Sequence, residues 1–371
     1  MSKARELAEL GAVYDSGALS NRNLIINGGM TVAQRGSSQT GVGIDTYTNL
    51  DRFKQYAAAG GMAGRSTSTQ ETITDLNGFT KALKLQVTTA DTSVGSTDSY
   101  GLTTRLEADD ILRLGIGTAN AQATTLSFYA KAPTGGGVFC AGISLPGGGN
   151  YFEEVTIGTS WARHEIKIPV TTTSSHATTA TGTATGIEVQ ITLMAGSSYN
   201  TLTNKTWSAG GNNRATSNQT NFYSSTSNNL FVTGMQLEVG TEATPFEHRS
   251  FAQELVLCQR YFAKSYAPST NIGTATSHGM VQTTFEENNQ GAGYRENYGF
   301  KFPVQMRGTP AVVTYDSAGT SGKCNYYIGT SSSPGRTLNL SNQNATSFGG
   351  YSDRATTMGG WAAQYTADAE L

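Results

Sequence analysis

Hydrophobic and polar residues alternate over most of this chain. In KALKLQV (81–87), Leu83, Leu85 and Val87 alternate with Lys84 and Gln86. In TLSFYAK (125–131), Leu126, Phe128 and Ala130 alternate with Ser127, Tyr129 and Lys131. EIKIPV (165–170), GIEVQITLM (186–194) and MQLEV (235–239) repeat the period of two. One apolar and one polar face per segment predicts antiparallel strands packed on a core from one side, in two stacked sheets. The period returns in FKFPVQM (300–306), AVVTY (311–315) and WAAQYTADAEL (361–371), which predicts a second, smaller β unit. Two segments read instead as helix. Residues 2–14 place Ala4, Leu7 and Ala8 on one face with Leu10 beside them. Residues 250–264 open with a Ser250/Gln253 capping box and carry Phe251, Leu255, Cys258 and Phe262 as an apolar stripe. The predicted fold is all-β: a short N-terminal helical segment (1–20), a β-sandwich (21–249), a connecting helix (250–264) and a smaller C-terminal β-sandwich (265–371).

Composition supports this reading. Thr, Ser, Asn and Gly supply about two-fifths of the chain, and these residues favour turns and strands over helix interiors. Hydrophobic residues still reach 37%, enough for packed cores and too many for simple disorder. The formal charge of −2 gives no reason to expect nucleic acid as partner. No apolar run approaches the roughly 18 residues of a membrane span, and no secretory signal pattern opens the chain, so a soluble protein made in the cytoplasm is expected. Two polar stretches, 171–186 with eight threonines and the Asn-rich 196–229, read as long surface loops.

The search for chemistry points away from catalysis. Asp109–Asp110, Glu153–Glu154 and Glu286–Glu287 are adjacent pairs, and neighbours on a strand face opposite ways. The four histidines and three cysteines show no metal spacing; no cofactor is expected, with calcium at a carboxylate pair as the minor alternative. Cys258 belongs to the helix stripe and reads as core. Rings in polar loops remain, because flat aromatic faces stack on pyranoses while amides and hydroxyls bond their hydroxyl groups. Trp207 with Tyr199 and Asn212 is the best cluster by sequence; Tyr326, Tyr327, Tyr351 and Trp361 are the candidates in the C-terminal unit. Trp161 opens an alternating strand and is assigned to the core, and Trp361 lies on an apolar strand face.

Several segments, in order, are NRNLIINGGMTVAQRG near the start, DRFK (51–54), TLSFYAKAP (125–133) and MQLEVGTEATPFEHRSFAQELVLCQRYF (235–262). Together with FPVQMRGTPAVVTYDSAGTSGK and the closing YTADAEL, residues 20–371 resemble the jelly-roll, carbohydrate-binding-module-like domains of marine bacteriophage (cyanophage-like) tail fibres. The resemblance implies a virion structural protein rather than an enzyme: a short homotrimeric tail fibre. It would attach to other virion proteins through Ala4, Leu7, Ala8 and Leu10 and bind host surface polysaccharide. It implies no contact with nucleic acid and no membrane insertion. A capsid-attached fibre or knob is the alternative, and a polysaccharide-cleaving tailspike the second. In the motif itself, Pro245 and Phe246 are expected to form the exit turn and plug the sandwich end, and Arg249 to pair with a carboxylate.

Overall fold

The computed structural model describes residues 21–42, 46–57, 63–211, 213–284, 298–328, 331–351 and 360–371. The helical segment predicted over 2–14, with Ala4, Leu7, Ala8 and Leu10, lies outside the described residues, as do Glu286 and Glu287. The chain forms two compact units: residues 1–31, 40–46 and 53–249 in the first, 32–39, 47–52 and 250–371 in the second. The second unit therefore includes two early segments, 32–39 and 47–52, that alternate with the start of the first unit.

The first unit carries strands β1 (Ser38–Val42), β2 (Thr46–Tyr47), β3 (Phe53–Ala57), β4 (Arg65–Thr72), β5 (Lys81–Thr89), β6 (Ser99–Glu107), β7 (Thr124–Thr134), β8 (Gly137–Ser144), β9 (Gly149–Ile157), β10 (Ala162–Ile168), β11 (Thr185–Ala195), β12 (Ser208–Ala209) and β13 (Asn229–Val239). They form a six-stranded sheet, β1-β4-β5-β13-β7-β10, and a seven-stranded sheet, β12-β9-β8-β11-β6-β3-β2, all paired antiparallel where register is defined. The core is made by the apolar faces the alternation marks out. Leu83, Leu85, Leu126, Phe128, Leu230 and Val232 come from one sheet, and Phe139, Ile143, Val189, Ile191 and Leu193 from the other; all are buried.

The opposite face of the seven-stranded sheet departs from the expectation of a core on one side only. Glu188, Gln190 and Thr192 of β11 are also buried. The loop that follows β11 lies over them. Arg214 donates to Glu188 Oε2 at 2.5 Å and to Gln190 Oε1 at 2.6 Å, its carbonyl accepts from Thr192 Oγ1 at 2.8 Å, and its guanidinium lies 4.6 Å from the Tyr56 ring centre. Leu202 and Ala215 of the same loop pack on Cys140 and Phe152. Polar strand residues were read as solvent-facing, but they are covered by a polar loop that satisfies them.

The motif around β13 is a structural clasp. Gln236 and Glu238, on the polar side of the strand, are buried. Glu238 accepts from Thr244 N at 2.9 Å and Gln236 Oε1 from Glu247 N at 2.8 Å, closing the ATPFE turn back on its own strand. Asn23 accepts from Leu237 N and donates to Met235 O, and a Cβ at Gly28 would stand 2.1 Å from that carbonyl, which explains the glycine. Arg249 pairs with Glu247 at 3.5 Å, as expected. Phe246 is half-buried and packs on Phe79 and His248.

The second unit contains helix α1 (Phe251–Gln259) and strands β14 (Phe262–Lys264), β15 (Val281–Thr284), β16 (Tyr298–Lys301), β17 (Ala311–Tyr315), β18 (Lys323–Ile328), β19 (Ser331–Thr337), β20 (Asn339–Ser341), β21 (Ser347–Tyr351) and β22 (Gly360–Asp368). β22 is central, flanked by β14, β15, β17 and β18, and a three-stranded sheet β16-β21-β20 packs on it. Phe348 meets Tyr365 with ring centres 5.1 Å apart, and Phe300 meets Trp361 at 5.2 Å. Helix α1 keeps its capping box but stops at Gln259, and Phe262 continues as strand. Its buried side holds Glu254 and Cys258; Leu255 is half-buried and Phe251 is 50% exposed, so the expected four-residue stripe is rotated.

Candidate functional site

The structure places the sequence-predicted rings as follows. Trp207 is half-buried at the edge of the sandwich. Its indole N–H donates to Pro169 O at 2.9 Å, its ring stacks on His176 at 5.3 Å and 17°, and Tyr151 packs against it at 5.6 Å. The ring holds the long loop to the rest of its unit. Tyr199 is half-buried in the same loop, and its carbonyl accepts from Arg214 N at 3.2 Å. Asn212 lies outside the described residues. Tyr326 of β18 is half-buried with the Arg336 guanidinium 4.8 Å from its ring centre; the side chain of Tyr351, at the end of β21, is outside what is described. Trp361 is fully buried.

A different set of rings stands on the solvent face of the six-stranded sheet. Register places Phe231 of β13 opposite Lys84 of β5 and Lys131 of β7. Trp161, immediately before β10, reaches the same row and packs edge-on against Phe231 at 6.3 Å. This corrects its assignment to the core: Ile166 and Ile168 face inward from β10, whereas Trp161 is half-buried at its outer side. Lys131 Nζ sits 4.9 Å from the Trp161 ring centre and 5.0 Å from that of Phe231. Asp75, from the turn before β5, fixes both groups. Its Oδ1 accepts from Trp161 Nε1 at 3.0 Å and its Oδ2 pairs with Lys131. The Lys131 ammonium and these hydrogen bonds hold the Asp75 carboxyl below its ordinary value. Its side chain remains 55% exposed.

The row continues to a second cluster. Tyr129 lies opposite Arg163 and packs with Phe79 at 5.2 Å. Both rings lie over Gly234, whose φ of +62° forms the bulge in β13; a Cβ there would come within 2.7 Å of Phe79. From β5 to β10 the row crosses four strands, about 14 Å at ordinary strand spacing, the reach of a short oligosaccharide. The sequence held part of the signal: Lys84, Tyr129 and Lys131 occupy the non-core positions of strands the alternation identifies, whereas Phe231 precedes the alternating segment 235–239.

The other concavity of the first unit is chemically unlike this. A cavity of about 180 Å³ is lined by Ile111, Leu112, Ile116, Leu145, Ala177 and Thr178 among others. Its hydroxyls are already engaged: Thr118 donates to Gly115 O, and Thr178 donates to Pro146 O and accepts from Ala180 N. It offers an apolar wall and little to a sugar hydroxyl. Of the carboxylate pairs, only Glu153 and Glu154 are shown to part: Glu153 accepts from Tyr151 while Glu154 accepts from Thr216 on the opposite face. Among the described residues no group of three or more His, Cys, Asp or Glu is arranged to hold a metal ion.

No family model and no curated protein matches the sequence. Solved structures that resemble it in part include the carbohydrate-binding module TmCBM61 in complex with β-1,4-galactotriose: 12% identity, 59% of this chain and 100% of that one, TM-score 0.29. They include the family 11 carbohydrate-binding module of a Clostridium thermocellum cellulosomal cellulase: 12% identity, 57% and 99%, TM-score 0.28. A third is the enzymatically active domain of tailspike protein 4 of bacteriophage CBA120: 9% identity, 59% of this chain and 21% of that one, TM-score 0.28.

Proposed function

We propose that the first unit binds a glycan across the solvent face of its six-stranded sheet, over Trp161 and Phe231, without catalysing its cleavage. The observation that carries this reading is the fixed, half-exposed indole of Trp161, with Asp75 bonded to its N–H and Lys131 against its ring. An aromatic face beside a charged donor and acceptor is what a pyranose needs: apolar C–H surface on one side, hydroxyls at its rim. The opposite sheet's outer face is already filled by the chain's own loop, which leaves this one for a ligand. The divergence of Glu153 and Glu154 supports a binding role.

The resemblance of residues 20–371 to tail-fibre modules extends the reading to the whole chain: a homotrimeric virion fibre of the tail, attached through its N-terminal segment and adsorbing to host polysaccharide. The test is binding of the full chain to a polysaccharide panel with Trp161→Ala beside the unaltered protein. Loss of binding by a variant that stays folded supports the platform; equal binding by both refutes it. Native mass spectrometry tests the trimer, and a monomer refutes it.

A further inference from the structure

We propose that the glycan bound on this face is uncharged, and that Asp75 and Lys131 together grip two neighbouring hydroxyls on it. The inference rests on the platform reading above and goes further, to the chemical class of the ligand.

Charge on the face is matched pair by pair. Lys131 stands beside Asp75, Lys84 is 4.0 Å from Glu71, Arg163 is 3.6 Å from Glu165, and Lys167 is 2.7 Å from Glu242. A uronate or sulfate arriving here would compete with a carboxylate already paired to each cation. It would also meet the Asp75 carboxylate, more exposed at 55% than Lys131 at 14%. Like charges brought together in a partly desolvated site repel, so the arrangement selects against anionic polymers.

The same pair suits a neutral diol. Asp75 spends one lone pair of Oδ1 on Trp161 and one of Oδ2 on Lys131. Each oxygen retains acceptor capacity for a sugar O–H. The Lys131 ammonium has three N–H groups, of which one goes to Asp75, so it can donate to the oxygen of the adjacent hydroxyl. Both bonds are charge-assisted, and both partners are held in place before the ligand arrives, Asp75 by the indole N–H and Lys131 between two rings. The indole then lies under the sugar's C–H face.

The experiment is affinity electrophoresis and titration calorimetry of the full chain against a neutral set (β-glucan, galactan, mannan, agarose) and a charged set (alginate, κ-carrageenan). The expected result is binding within the neutral set, changing less than twofold between 50 and 500 mM NaCl. Lys131→Gln and Asp75→Asn should each weaken it about tenfold. Lys131→Gln leaves the Trp161–Asp75 bond intact, so its effect cannot be a displaced indole. Binding confined to the charged set, or falling steeply with salt, overturns the inference. If that binding is still lost in Trp161→Ala, the platform stands and only the neutral class is wrong. Binding indifferent to Trp161→Ala, or none to either set, overturns the platform reading and this inference with it.

Discussion

Trp161 and Trp207 are both half-buried in the first unit, each with its indole N–H bonded and its ring packed on a neighbour. A tryptophan opening an alternating strand reads as core, and one in an Asn-rich loop reads as a ligand contact, because local pattern carries no information about what folds over what. Trp207 is bound at its N–H, on its face and at its edge by its own unit, so Trp207→Ala should lower stability by about 2 kcal/mol. That is below the 3–5 kcal/mol range for a fully buried ring because this one is half-exposed. Thermal unfolding checks this; a melting temperature within a degree of the unaltered protein would contradict it. A second residue-scale effect belongs to Asp51, fully buried with Gln34 donating to it at 3.1 Å and Arg35 3.6 Å away. Burial, only partly offset by Arg35, raises its carboxyl to about 6. Stability from a carboxyl raised in the folded state is complete below its unfolded value near 4 and is lost as pH rises through about 6. Asp51→Asn should therefore flatten a fall in the second unit's stability between pH 4 and 6, seen by calorimetry; an unchanged slope would contradict it.

Helix α1 and the loop after β11 show where element-level reading works and where it stops. The capping box was legible because it depends on residues three apart: Ser250 accepts from Gln253 N at 3.3 Å. Ser250→Ala should cost about 1 kcal/mol. The burial of the helix was misread because tertiary packing turns Glu254 inward and Phe251 outward. Leu255→Ala, at a half-buried position, should cost about 1–2 kcal/mol, less than a fully buried leucine. The strands were legible through their alternation, but the plug on the seven-stranded sheet was not, because a polar loop over a polar face leaves no hydrophobic trace. Arg214→Met tests that plug. Burial pushes the Glu188 carboxyl up, but Arg214 and Arg105 outweigh it and hold it below its ordinary value. Removing Arg214 leaves Glu188 paired with Arg105 alone and should cost about 1.5–3 kcal/mol at neutral pH. A loss near zero in chemical denaturation would mean the loop is not held by this pair.

For the whole molecule, the two units should answer acid in opposite senses. Glu188 is lowered on folding, so its contribution to the first unit is present above its unfolded value near 4.5 and lost as pH falls; Asp51 works the other way in the second. We propose that a glycan on the open face of the six-stranded sheet leans on Trp161 and not on Trp207. Titration of one neutral polysaccharide from the panel against the unaltered chain, Trp161→Ala and Trp207→Ala, with unfolding followed in parallel, tests it most directly. Trp161→Ala should abolish binding while the protein stays folded, whereas Trp207→Ala should keep affinity wherever the protein is folded. Binding lost with Trp207 and retained without Trp161 would contradict it.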